Sequence, residues 1–255
     1  MLKCFGAQTT RRTPHQIVML GLEGSGKTTL LYKLKVPGWT EMSRDMQKAK
    51  EKDRHWDVGY HYEEFQNGRL KWYGIWDVPG SDEMIPLWNL FYRYIVVSAV
   101  IFVVDAAPGQ DEAMEQVQKA RRWLHFLLNE DEIRSAAFIV IVNERWHRDD
   151  IKKKRRRKKK KNGHHGSSSE KEEFAHEAEE GGILNKGRDP TRPWTQVGKA
   201  FLGKLNVADI MEQPWNKDRF RIFFMDCSDP LREWKEVIEE IYKIYIKVGP
   251  GRDQS

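Results

Sequence analysis

Residues 21–28 read Gly-Leu-Glu-Gly-Ser-Gly-Lys-Thr and fit the pattern G-x-x-x-x-G-K-S/T. Chemistry explains the spacing. Gly24 and Gly26 let backbone N–H groups approach phosphate oxygens, with Glu23, Ser25 and Thr29 supplying further N–H groups. Lys27 brings a point charge to the outer phosphates, and the Thr28 hydroxyl can ligate magnesium. A glycine-rich turn that binds nothing is the bland alternative, but the Lys-Thr pair has no role in such a turn. A magnesium-phosphate site also needs a carboxylate at the end of another strand. Trp76-Asp77-Val78-Pro79-Gly80 supplies Asp77, and the Gly80 N–H is suited to a terminal phosphate. Asp77 as a turn former before Pro79 is the competing reading.

These residues need elements to hold them. A short apolar run at 16–20 precedes the glycines and a helical pattern follows at 28–35, so strand, glycine loop and helix open an α/β sheet. Aromatic-rich strands are predicted at 60–66 and 70–76. Asn67-Gly68 between them predicts a tight hairpin, because both turn positions of that type need positive φ. Apolar runs at 99–104, 136–142 and 220–225 alternate with helical patterns at 111–129, about 193–209 and 231–247. That rhythm predicts a mostly parallel sheet with helices on both faces.

With 255 residues the chain is long enough for one large core or two small ones. Ten of the 44 Lys and Arg residues form an unbroken run at 152–161; without it 34 basic residues face 38 acidic ones, and the net charge of +6 becomes −4. The basic balance therefore belongs to one loop, and no nucleic-acid partner is expected. Residues 147–190 continue with a Gly/His/Ser tract and an acidic stretch, a composition without core-forming periodicity. This segment reads as an insertion, either self-neutralising and solvated or a patch that meets a partner or an anionic membrane. Residues 41–55 form a smaller insertion-like stretch, and the tail at 249–255 is expected to fray.

Two cysteines, Cys4 and Cys227, argue against a disulfide-stapled fold and a cysteine zinc site, and fit a reducing cytosol. The first residues lack the apolar stretch of a signal peptide, and the longest apolar run, at 95–104, is too short to span a bilayer. Leu2 excludes the N-myristoylation signal, while Cys4 is either a plain cysteine or a palmitate acceptor. The expectation is a cytoplasmic monomer, with peripheral attachment to an intracellular membrane left open.

The segments GLEGSGKTTLLYKLK and WDVPGSDEMIPLWNLFYR closely resemble the ADP-ribosylation factor (Arf) and Arf-like small GTPases, where they read GLDxAGKTTxLYKLK and WDVGGQDxxRPLWRxYF. Val58-Gly59-Tyr60 resembles the segment after the first switch. The strand running to Asn143 is similar to the one ending in NKxD, and the strand before Asp226-Cys227-Ser228 to the one before the TCAT loop.

The resemblance implies a Ras-like P-loop fold of six strands, one antiparallel. It makes residues 1–15 an N-terminal extension and 16–248 the nucleotide-binding domain. Its ligands would be GTP or GDP with Mg2+, and its partners effector, exchange and activating proteins of membrane traffic. Lys27, Thr28 and Asp77 match the phosphate and magnesium positions, and Gly80 the sensor of the γ-phosphate. Asn143, Cys227 and Ser228 match base-binding positions, the last two through backbone N–H groups. Tyr60, Trp76 and Phe91 fall on the aromatic trio read by effectors, for which plain core packing is an equal alternative.

Three departures bear on activity. Ser81 occupies the place of the Gln that orients the attacking water, so hydrolysis should be slow or need a partner. The first-switch Thr appears as Asp57, or Thr40 takes its part; Asp57 could ligate magnesium but would repel the phosphates. Asn143-Glu144-Arg145-Trp146 replaces NKxD, removing the carboxylate that pairs with guanine and the Lys whose stem covers the base. Base discrimination should weaken, unless Asp149 or Asp150 substitutes; Trp146 or Trp194 could stack on the purine. A pseudo-GTPase scaffold, an interaction module acting through the basic insertion, and another P-loop nucleotide enzyme are the remaining readings.

Overall fold

The computed structural model describes residues 13–36, 59–67, 71–106, 111–144 and 201–248. The insertion at 147–190, the tail, and Cys4, Thr40, Asp57, Trp146, Asp149, Asp150 and Trp194 lie outside them. The first elements in chain order are β1 (His15–Leu20), α1 (Lys27–Lys35), β2 (His61–Asn67), β3 (Lys71–Asp77) and α2 (Trp88–Tyr94). They are followed by β4 (Val97–Asp105), α3 (Asp111–Leu128), β5 (Ala137–Asn143), α4 (Ala208–Glu212), α5 (Pro214–Lys217), β6 (Phe220–Met225) and α6 (Leu231–Val248). The strands form one six-stranded sheet in the order β2-β3-β1-β4-β5-β6. All neighbouring pairs are parallel except β2 with β3. The expected Ras-like architecture, mostly parallel with one antiparallel strand, is the one observed.

The central strands are covered on both faces and therefore read as unbroken apolar runs: every residue of β5 is buried. Because side chains alternate, each strand feeds two cores. Val18, Leu20, Phe138, Val140 and Val142 join α2 and α3 on one face. Ile17, Met19, Ile139 and Ile141 join α1 and α6 on the other. In α6 the buried Trp234, Val237, Ile238, Ile241 and Ile244 follow helical spacing. Each such apolar side chain contributes roughly 1.5–3 kcal/mol when removed from water. β2 is one of the two edges, and it carries His61, Glu63 and Glu64, charged and polar residues that blunt pairing with another chain.

A tight Asn67-Gly68 turn is not what joins β2 to β3. Asn67 pairs with Lys71 as the last rung of the ladder, and among the described non-glycine residues only Asn206 has positive φ. The connection is therefore the three residues 68–70, the next commonest hairpin length. Asn67 stays in the strand because the ladder satisfies its backbone.

Arg219 is fully buried where β6 begins. Its guanidinium donates to the carbonyls of Leu128 and Ile133, each at 3.0 Å, and to Asn216 Oδ1 at 3.0 Å. It thus fastens the end of α3 to the sheet, and burial pushes it down to about 10.

Candidate functional site

Four loops at the carboxyl ends of the strands converge, the place where open α/β sheets bind ligands. β1 runs into the glycine loop, in which Gly21, Gly24 and Gly26 all have positive φ. Gly26 is the left-handed N-cap of α1 and makes no side-chain capping bond, so the first N–H groups of that helix are left for an anion. No side chain fits at Gly26: a Cβ there would run into the Asn143 amide.

Lys27 is 5% exposed, and its Nζ donates to the carbonyls of Gly21 at 2.8 Å and Leu22 at 3.0 Å, which fixes the ammonium inside the loop's curve. Burial pushes it down to about 8, opposed by the nearby Asp77 and Glu23 carboxylates. Glu23 itself is exposed, and its amide donates to the Gly80 carbonyl at 3.0 Å. That bond joins the phosphate loop directly to the segment after β3. The fit is tight, because a Cβ on Gly80 would overlap the Gly21 carbonyl and crowd the Glu23 amide.

Asp77 ends β3 opposite Met19, and the next amide, Val78, donates to Met19 O at 3.1 Å. This register brings the carboxylate to the second residue of α1: Thr28 Oγ1 donates to Asp77 Oδ2 at 2.6 Å. Oδ1 of Asp77 is buried and has no hydrogen-bond partner among the described residues. A buried orphan carboxylate oxygen beside a hydroxyl is a hard-oxygen donor set of the kind magnesium takes, through one or two carboxylates and substrate phosphates. Thr28 and Asp77 therefore fit Mg2+. His61, which the sequence reading did not single out, lies opposite Asp77, with Nδ1 at 3.6 Å from Oδ2.

At the base end, Asn143 is buried at the close of β5. Its amide donates to Ser25 O at 2.8 Å, and its Oδ1 accepts the Cys227 amide at 3.1 Å. The Ser228 amide donates to Asp226 Oδ1 at 2.8 Å, with the Ser228 hydroxyl on the same oxygen at 2.6 Å. Both amides that the resemblance assigned to the base thus have partners within the protein. Glu144, where the family carries Lys, is buried, and its amide donates to Met225 O. Only its replacement of a family residue marked it in the sequence.

Ser81 is half-buried just beyond Gly80, and its carbonyl accepts the amides of Met84 and Ile85. It therefore opens the turn that leads to α2. Tyr60, Trp76 and Phe91 meet on the β2–β3 side: Tyr60 lies 5.2 Å from Trp76 and 5.5 Å from Phe91 between ring centroids, and Trp76 6.2 Å from Phe91. Tyr60 is 52% exposed and the other two half-buried, so the cluster presents a face to solvent. Among the described residues no helix is long and apolar enough to cross a membrane.

The family model described as Arf, ADP-ribosylation factor family, matches residues 1–167, which take in the glycine loop, Asp77 and Asn143. A solved structure with the same fold is that of the Arl6 BBS3 small GTPase from Trypanosoma brucei with the bound nucleotide analogue GppNp. It is 19% identical, with a TM-score of 0.50, and the match covers 92% of this chain and 98% of that one. With its phosphate loop, strand-end carboxylate and strand order in place, the chain belongs to the ADP-ribosylation factor family of GTP-binding switch proteins.

Proposed function

We propose that this family member exchanges GDP for GTP with Mg2+ and hydrolyses GTP slowly or only when a partner completes the site. The observation that carries the nucleotide reading is Thr28 Oγ1 at 2.6 Å from Asp77 Oδ2, with the buried Oδ1 left for a further ligand. Thr28 and Asp77 would hold Mg2+, which neutralises phosphate charge when bound. Lys27 and the uncapped start of α1 hold the phosphates. Slow hydrolysis is supported by Ser81, whose short hydroxyl stands where positioning of water calls for a long amide side chain. Relaxed base specificity is supported by the replacement of NKxD after Asn143.

The half-exposed Tyr60, Trp76 and Phe91 cluster supports docking of effector proteins on this face, with exchange and activating proteins as the other regulatory partners. A reducing compartment is supported by the two cysteines, and the cytoplasm is the location we propose, with attachment to an intracellular membrane left open.

The test is to identify the nucleotide released from purified protein and to run competition binding with GTP, ATP and XTP at saturating Mg2+. Guanine nucleotide that EDTA releases faster supports the reading. Adenine nucleotide overturns it in favour of another P-loop enzyme. Absence of nucleotide at micromolar GTP overturns it in favour of a scaffold.

A further inference from the structure

Between α2 and α3 a cleft of about 150 Å3 opens to solvent. Its walls are aromatic. Trp88 forms the floor, with Trp123 edge-on at 5.7 Å and Phe126 edge-on to Trp123 at 5.4 Å, and Tyr92 completes the lining. At one end stands the Glu130 carboxylate, which accepts a hydrogen bond from the Tyr92 hydroxyl and lies beside Glu132. Burial, then the neighbouring Glu132, holds Glu130 above the usual carboxylate range. Arg93 is the one cation among the lining residues, and it is engaged by Glu132 at 3.1 Å. The two carboxylates against one guanidinium leave this end of the cleft with a net negative charge.

An aromatic-walled cleft closed by excess negative charge has a definite complement. Aromatic faces attract a cation that has shed its water, and the carboxylate gives that cation a hydrogen-bonded partner. A plain aliphatic side chain would fill the cleft yet bring no charge partner to Glu130. Phe126, 49% exposed and part of the lining, offers an apolar shoulder for the chain that carries the cation. We propose that the cleft between α2 and α3 receives an arginine or lysine side chain of a partner protein, seated against Trp123 and Phe126 above the buried Trp88 and Tyr92 and paired with Glu130. This surface is separate from the Tyr60, Trp76 and Phe91 cluster, and the proposal does not depend on which nucleotide is bound. Trp88 Nε1 donates to Pro79 O at 2.8 Å, so the floor of the cleft is fastened beside Gly80.

The full-length protein, 15N-labelled, is titrated at fixed ionic strength with N-acetyl-arginine amide, N-acetyl-lysine amide and N-acetyl-norleucine amide, following the Trp88 and Trp123 indole N–H signals. The expected result is saturable shifts with either cationic probe, at least about fivefold tighter than with norleucine amide. Glu130→Gln, which keeps an acceptor for the Tyr92 hydroxyl, should erase that preference while leaving the melting temperature unchanged. Equal binding of norleucine amide, or cation binding that survives Glu130→Gln, reduces the cleft to an apolar groove and overturns the proposal. So does the absence of shifts with every probe. Binding that appears only after residues 152–161 are deleted gives the site to the chain's own basic run, and self-association that the probes reverse gives it to a second copy. Either result also overturns the proposal.

Discussion

Asn143 and Ser25, 118 residues apart in the chain, are joined by a hydrogen bond of 2.8 Å from the side-chain amide to the backbone carbonyl. The same Asn143 accepts the Cys227 amide, so one side chain ties the phosphate loop, the end of β5 and the loop after β6 together. Asparagine suits this place because it donates and accepts at once. In Asn143→Asp the carboxylate faces the Ser25 carbonyl with no proton to give. A buried unsatisfied acceptor costs about 1–3 kcal/mol, which corresponds to roughly a tenfold loss of nucleotide affinity. Stopped-flow release of a fluorescent guanine nucleotide measures it, and an unchanged release rate would show that the loops hold their places without the tie.

On the proposed reading, phosphate binding rests on the charge of Lys27. Its buried ammonium is already held by the Gly21 and Leu22 carbonyls, so it meets a phosphate without reorganisation. Lys27→Ala should abolish measurable binding of labelled GDP and GTP while the fold persists by circular dichroism. Retained affinity in a folded variant would refute the phosphate-loop assignment.

Ser81→Gln restores a side chain long enough to orient water beside Gly80. Single-turnover hydrolysis of bound GTP should rise by about tenfold or more, since positioning of water is a large part of phosphoryl-transfer catalysis. A wild-type rate that is already fast, or no response to the substitution, would mean that another group positions the water.

His15 should make stability pH-dependent. It opens β1 with its ring edge-on to Tyr242 at 5.1 Å and Tyr245 at 4.6 Å, and Nδ1 is 3.4 Å from Ser98 Oγ. Tyr73 lines the same small cavity, so the titratable groups facing His15 there are tyrosines. Burial lowers the His15 pKa from 6.5, so the unfolded chain binds the proton more readily than the folded one. Stability is therefore fully present above about pH 6.5 and is lost as pH falls below it. Urea midpoints at pH 7.5 and 5.5 should differ more in the wild type than in His15→Phe. Equal differences would exclude His15 as the source.

Much of the site was legible because its chemistry is local. The positive φ at Gly24 and Gly26, the ammonium of Lys27 and the hydroxyl of Thr28 lie within five consecutive residues, so spacing alone defines the cradle. The buried parallel strands were legible for a related reason: a strand covered on both faces must be apolar throughout, and only a few runs in the chain are. The insertion and the residues after Arg145 were legible only as composition, which says what cannot pack and nothing about what they meet.

What the sequence determined by itself was the phosphate loop, the strand-end carboxylate and the alternation of strand and helix, because each is written in residues close together. Tertiary structure decided the rest. A two-residue turn at 67–68 would have set Val58 opposite Asp77; the three-residue connection 68–70 sets His61 there instead. Likewise no local pattern could show that Asn143 reaches Ser25, or that Trp88, Tyr92 and Trp123 enclose a cleft ending at Glu130. Such pairs are made by strand order and helix packing, which place side chains by geometry rather than by their distance along the chain.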